Sequence, residues 1–307
     1  MSQTQRLLLI APSAMTRTPA FDRAAALALA MHLPLHIVAF DYSQALAIAG
    51  LFDPKQFSQA RDGYLQTHRQ WLVEQAGSMS KHGIEVTAEV LWVQDPYVQI
   101  LHYIQEMPLT LIIKDAQEES ALKRVFFTPL DWQLLRDCPV PVHLVTTSVN
   151  PRPRNVLAII DVLRDEDQDR VFNDQIIDAA TKLATVCEAR LELLHVYDWT
   201  AVYVKDMGFG ALPLATGIHE RLGTAQQAAF AAIAERHGVP VQCRHFIEGV
   251  PVASICEFAA EQDTDVIVMG TVQHKGLSKR LGTTAEQLLH RAPCSVLAIK
   301  PGRMLQS

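Results

Sequence analysis

The stretch TDVIVMGTVQHKGLSKRLGTTAEQLLHRAPCSVLAIK, residues 264–300, contains a short apolar run, a glycine-bearing polar loop, a helical pattern and a second short apolar run. Two β-rich runs separated by a helix-length segment describe neighbouring parallel strands, because a parallel pair needs a long crossover. The stretch has a counterpart in LTLIIKDAQEESALKRVFFTPLDWQLLRDCPVPVHLV, residues 109–145. The offset is 155 residues, the distance from Gly83 to Gly238. At this offset His82 meets His237, Pro96 meets Pro251, Ile112 meets Ile267, Leu122 meets Leu277, Thr128 meets Thr283, Leu134 meets Leu289 and Arg136 meets Arg291. Apolar pattern and turn residues agree over more than fifty positions, which identifies a duplication.

Outward from this pair the same alternation fills both copies. RLLLIA, LHIVAF, IEVTAEVLW, LTLIIK and VHLV read as strands of the first copy, and NVLAIID, ARLELLHVY, VPVQCRHFI, TDVIVMG and SVLAIK as strands of the second. Helical patterns run from Phe21 to Met31, from Ala60 to Lys81, from Pro96 and after Pro129, with Pro96 and Pro251 placed where a helix tolerates a missing N–H. The chain is therefore expected to be α/β: two tandem, doubly wound, mainly parallel five-stranded sheets of Rossmann-like form. Pro151 and Pro153 cannot donate ladder hydrogen bonds, so residues 147–154 read as an extended linker. The domains are expected at 1–148 and 149–307.

At 307 residues, 49% hydrophobic and 20% charged, each half can bury its own core. No apolar run reaches the roughly 18 residues of a membrane span, and the N-terminus reads as the lead into a first strand, so a cytoplasmic protein without membrane insertion is expected. The net charge of −6, with no basic cluster interleaved with aromatics, opposes nucleic-acid binding. Five cysteines without a CxxC pair read as reduced, mostly buried thiols. The twelve histidines are scattered. His32 and His36 straddle Pro34, and Cys243 with His245 lacks a third ligand, so no metal cluster is expected. The acidic run Asp161–Asp169 reads as a helix lead-in, with only Asp161, at a strand end, a candidate site residue.

In the second copy the strand ending at Met269 delivers Gly270 to the carboxyl edge of the sheet, beside the first strand ending at Asp161, where open α/β sheets bind ligands. Gly270, Gly276 and Gly282 permit close backbone approach, and Thr283 and Thr284 offer hydroxyls and N–H groups at a helix start that favours an anion. Tight packing of a glycine loop against a helix is the alternative. The segment from Gly270-Thr271 through Gly282-Thr283-Thr284-Ala285-Glu286 to Ala292-Pro293-Cys294-Ser295-Val296-Leu297 resembles the universal stress protein signature, G-x2-G-x9-G-[ST] followed by a helix and a final strand. Together with Phe127-Thr128-Pro129-Leu130-Asp131-Trp132 and Leu134-Leu135-Arg136-Asp137-Cys138-Pro139, it resembles tandem members of the UspE type over nearly the whole chain. The resemblance implies the adenine nucleotide alpha hydrolase-like fold with strand order 3-2-1-4-5. It also implies ATP or a related nucleotide as ligand, phosphates on the loop, and Asp161 and Val196 near the adenosine part. Gln273 stands where the pattern has its second glycine, and eight residues rather than nine separate it from Gly282.

In the first copy Asp115, Glu118 and Phe127 replace the three glycines and Ala11 stands in place of Asp161, so no nucleotide is expected there. Phe126, Phe127 and Trp132 either line an apolar pocket or belong to the core. No GxSxG, HExxH or GxxxxGK[ST] occurs. The function the resemblance implies is a non-enzymatic stress-response protein, active in oxidative or starvation stress and in motility and adhesion. Its halves are expected to pair as a pseudo-dimer through Val142–Val145 and Val296–Ile299, with a further homodimer or protein partner open. An adenine-nucleotide hydrolase or transferase, with Asp161 its one candidate group, and a ligand-free scaffold are the rival readings.

Overall fold

The computed structural model describes residues 4–50, 52–119, 124–126, 129–146, 150–162, 167–198, 218–271 and 283–301. The chain divides into two units, Met1–Glu119 with Phe126–Arg152, and Ser120–Val125 with Pro153–Ser307.

Unit 1 is built on β1 (Arg6–Ala11), β2 (Leu35–Asp41), β3 (Val86–Trp92) and β4 (Leu109–Asp115); two short strands, β5 (Gln117–Glu119) and β6 (Arg124–Phe126), follow, and β7 (Val142–Val145) ends the series. β1 pairs in parallel with β2 and β4, β2 with β3, and β4 with β7, giving the order β3-β2-β1-β4-β7. The runs are apolar without alternation because both faces of a parallel sheet are covered. Leu7, Leu8, Leu9, Ile37, Val38, Ile112 and Ile113 are fully buried. The helices are α1 (Pro19–Met31), α2 (Gln44–Ala49), α3 (Pro54–Ser80), α4 (Pro96–Glu106) and α5 (Pro129–Asp137). Proline opens α1, α3 and α4, and the carboxylates of Asp53 and Asp95 accept from Gln56 N and Tyr97 N to cap the latter two.

Unit 2 repeats the plan with β8 (Asn155–Ile159), β9 (Arg190–Tyr197), β10 (Arg244–Glu248), β11 (Val266–Gly270) and β12 (Ser295–Ile299). All pairings are parallel and the order is β10-β9-β8-β11-β12. Its helices are α6 (Asp167–Cys187), α7 (Ile218–Arg236), α8 (Pro251–Glu261) and α9 (Thr283–Arg291). Buried Asp265 accepts from the backbone N–H groups of Arg154 (2.7 Å) and Asn155 (3.0 Å), which locks the start of β8 beside β11. The α/β class, the parallel sheets and the order 3-2-1-4-5 are those expected.

Gly83 and Gly238, the repeat's anchor pair, have φ of +85° and +66°. Nothing lies within 4 Å of a Cβ at either, so backbone conformation, not space, calls for glycine after the helix. Two details depart from expectation. Residues 241–243 form a 3-10 turn before β10, so Cys243 is not a strand residue, and α2, short and partly apolar, gave no periodic signal.

Candidate functional site at the carboxyl edges

In unit 2, β8 and β11 end side by side, and the chain leaving β8 runs on through Ile160, whose N–H donates to Leu194 O at 3.1 Å. Asp161 follows. Buried Asn173 on α6 brackets it: the Asn173 amide donates to Asp161 O at 2.8 Å, and its Oδ1 accepts from Asp161 N at 3.3 Å. The clamp fixes the backbone of Asp161 and leaves the residue exposed. Beneath it His195 on β9 is 1% exposed, with Nδ1 3.0 Å from Ile160 O and Nε2 3.1 Å from Gln226 Oε1 on α7. The Ile160 carbonyl can only accept, so Nδ1 carries a proton, and the Gln226 side-chain amide holds the other ring nitrogen. Val196 is buried, in register with Ile247, and Tyr197 closes β9 stacked on Phe246 at 6.0 Å.

The glycine at the end of β11 has a steric reason. A Cβ at Gly270 would overlap the Phe172 ring of α6 and press on Ile176 Cδ1 at 3.2 Å. Thr271 is buried, with its N–H donating to Ile299 O at 3.2 Å and its hydroxyl turned to the same carbonyl at 3.5 Å. The structure thus brings Asp161, Val196, Gly270 and Thr271 to one sheet edge, with Gly270 packed against α6 and the Thr271 hydroxyl directed at β12. Gly276 and Gly282 lie outside the described residues, and Thr283 and Thr284 are described only as the start of α9.

The same edge of unit 1 carries different chemistry. Lys114 near the end of β4 is buried and forms an ion pair with Asp131, in the first turn of α5, at 3.0 Å. Burial pushes the Asp115 carboxyl above its ordinary value, and Asp131 adds to the rise against the pull of Lys114. Ala11 is buried at the end of β1 and Trp132 is half-buried on α5. Phe126 is described only as the end of β6, and Phe127 lies outside the described residues. At the end of β2, Asp41 and His68 of α3 form a buried pair, Nδ1 to Oδ2 2.6 Å.

The model of the Universal stress protein family matches residues 5–146 and again 154–300. The chain belongs to the universal stress protein family. It is a tandem, UspE-type member. Universal stress protein E of Escherichia coli K12 is 26% identical over 268 residues, covering 85% of this chain and 82% of the relative. That of Photorhabdus laumondii is 25% identical over 309 residues, covering 98% and 96%. Among solved structures, a universal stress protein from Pseudomonas aeruginosa UCBPP-PA14 superposes with a TM-score of 0.73 at 24% identity, covering 98% of this chain and 94% of its own. One from Archaeoglobus fulgidus gives 0.67 at 19%, covering 96% and 98%. Both likenesses are of fold.

Sequence reasoning missed Asn173, His195 and Gln226 in unit 2, and Asp41, His68 and the Lys114–Asp131 pair in unit 1. Asp41 was the legible one, a carboxylate closing an apolar strand. The others depend on helix placement, and no local spacing announces them. Among the described residues no group of three or more His, Cys, Asp or Glu is arranged to hold a metal, and no helix is long and apolar enough to cross a membrane.

Proposed function

We propose that this universal stress protein is a non-enzymatic cytoplasmic stress-response protein whose second unit binds ATP or a related nucleotide at the carboxyl edge between β8 and β11. The observation that carries the reading is Asp161. Its backbone is clamped by Asn173 two residues beyond the end of β8, and the residue is exposed, where in this reading its carboxylate accepts from sugar hydroxyls or base N–H groups. The loop Gly270–Gly282 with Thr283 and Thr284 takes the phosphates in this reading. Among the described residues where β8 and β11 end, Asp161 is the candidate proton-transferring group and His195 is buried with both nitrogens engaged, so binding without turnover is expected.

Isothermal titration of the intact chain with ATP tests it. One site per chain is expected, weakened roughly tenfold to a hundredfold by Asp161→Ala and abolished by Gly282→Val, with no phosphate release. Unchanged affinity in Gly282→Val sinks the loop assignment, and steady phosphate release revives the hydrolase.

A ligand-free scaffold is the second reading, favoured by the Thr271 hydroxyl being engaged with Ile299 and by Phe172 lying against Gly270. Empty protein in native mass spectrometry, together with a flat ATP titration, selects it. In either reading the domains, 1–148 and 149–307, act as a covalent pseudo-dimer joined through Val142–Val145 and Val296–Ile299. Backbone amides there should exchange as slowly as those of β1 and β8; fast, edge-like exchange overturns the pairing.

A further inference from the structure

Beyond the end of β8, side chains take over from the ladder. The strand ends at Ile159, and Ile160 N–H still donates to Leu194 O at 3.1 Å, the next rung of a parallel pair. The carbonyl of Ile160, which a continued ladder would offer to Val196 N–H, lies 3.0 Å from His195 Nδ1. That carbonyl and Asp161 N–H are the two ends of one planar peptide group. Its carbonyl end meets His195 on β9, and its N–H end meets Asn173 Oδ1 on α6 at 3.3 Å. The Asn173 amide then takes the next carbonyl, Asp161 O, at 2.8 Å. Side chains from two elements therefore fix the orientation of the peptide that leads into Asp161.

The His195 ring is held in turn. It is 1% exposed, its Nε2 lies 3.1 Å from Gln226 Oε1 on α7, and the rings of Phe230 and Phe246 stand 6.2 and 5.4 Å away. A carbonyl only accepts, so Nδ1 donates in either charge state of the ring, and the contact is independent of its titration. Burying an imidazole and an amide costs stability unless each is bonded, and the other half of the chain shows that the fold does without them. His32 and Glu188, the residues of positive φ (53° and 55°) that follow α1 and α6, align the second strands of the two units, and His195 then has Ala39 as its counterpart. Gln226 and Trp71 stand equally far before Gly238 and Gly83, so Trp71 is the counterpart of Gln226. The polar pair occurs in the unit that carries Asp161, and its place is taken by an alanine and a tryptophan in the unit where no nucleotide is expected.

We propose that His195, held by Gln226, is a positioning residue of the nucleotide edge: it fixes the peptide between Ile160 and Asp161, so that Asp161 meets the ligand already ordered. The consequence for binding rests on the nucleotide reading of unit 2; the ordering of Asp161 does not. A ligand that meets an ordered residue loses no affinity to ordering it.

Two measurements on the full chain test the role. The first needs no ligand and reads the backbone order parameter of Asp161 N–H by NMR relaxation. It should be about 0.85 in the parent protein and fall below about 0.6 in His195→Leu, which keeps the volume and removes the donor. In His195→Asn, whose side-chain nitrogen stands where Nδ1 stood, it should remain near the parent value. A mobile Asp161 in the parent protein overturns the proposal, as do equal order in His195→Leu and equal loss of order in both variants. Should His195→Leu fail to fold, Gln226→Met, which keeps the length and removes the amide from the ring, takes its place, and unchanged order at Asp161 in that variant overturns the proposal. The second measurement is titration with ATP. His195→Leu should weaken binding roughly tenfold in the parent protein and leave it unchanged in Asp161→Ala, because the imidazole acts through Asp161. Equal losses in both backgrounds mean a general effect on unit 2 and overturn the positioning role. No ATP binding by the parent protein, with the order parameters as expected, overturns the nucleotide reading alone and leaves His195 as the residue that orders Asp161.

Discussion

His36 and Glu89 in unit 1 make the diagonal contact between neighbouring strands that Glu192 and His245 make in unit 2, with the residues exchanged between the two strands; His36 stands opposite Thr87 and His245 opposite Leu194. In unit 1 the β2 residue is the imidazole, His36, whose Nε2 lies 3.0 Å from Glu89 on β3. In unit 2 the β9 residue is the carboxylate, Glu192, 2.6 Å from His245 Nε2 on β10. An aromatic ring from the following helix lies on each histidine, Tyr103 at 5.3 Å and Phe258 at 4.6 Å. Both sheets carry an imidazole–carboxylate contact at this position, in opposite directions. At the carboxyl edges the copies behave oppositely. Lys114–Asp131 has as its counterparts Met269 and Glu286, and Asp41–His68 has Tyr197 and Gly223. Duplication preserved the contact between the second and third strands and released the side chains at the carboxyl edges.

The largest expected effect comes from Asp131→Ala, which strands buried Lys114 and should cost about 3–5 kcal/mol. The counterpart Glu286→Ala, at an exposed position, should stay within about 0.5 kcal/mol. Urea unfolding of both variants checks the contrast, and equal losses would erase it. Next, Gly270→Ala forces a methyl against the Phe172 ring and should destabilise unit 2 by about 1–3 kcal/mol, whereas Asp115→Ala at the equivalent seat of unit 1 should be milder.

Smaller still, the exchange His36→Glu/Glu89→His should be tolerated within about 1 kcal/mol, since unit 2 already uses it. His36→Glu alone sets two carboxylates diagonally across neighbouring strands and should be worse than the double change. If the single and double variants match, residues 36 and 89 do not act as a pair.

The smallest effect is a pH dependence. Burial holds the His36 imidazole below its ordinary value of 6.5, against the pull of Glu89 and with a push from Arg6; Thr87 and Tyr103 are the other groups on it. The unfolded chain therefore binds the proton more readily than the folded one. His36 contributes fully above 6.5, and its contribution falls as acidification proceeds from there toward the lowered folded value. Urea midpoints measured across that window should decline less in His36→Gln than in the parent protein, and parallel curves would remove His36 as a cause.

Much of the fold was legible because its signals are local. The runs RLLLIA, LHIVAF, TDVIVMG and SVLAIK are continuous and apolar because parallel strands bury both faces, and Pro96, Pro251, Gly83 and Gly238 punctuate the chain for backbone reasons that a sequence displays. Asp161 and Gly270 could be placed at a sheet edge from strand ends alone. The role of each could not. A glycine looks the same whether a ligand or a phenyl ring approaches it, and only the position of α6 makes Phe172 the neighbour of Gly270. Thr271 fits a loop signature, yet its hydroxyl belongs to β12.

By itself the sequence determined the duplication and the α/β class, since both depend on periodicity and spacing along one chain; the strand order and the family came with the resemblance of residues 270–297 and 127–139 to universal stress proteins. The tertiary structure decided which buried polar groups meet: Asn173 with Asp161, His195 with Gln226, Lys114 with Asp131, His68 with Asp41. Such pairs lie 12 to 31 residues apart and form only when a helix is laid at one height on a sheet. Packing over the whole unit sets that height, and no local pattern encodes it.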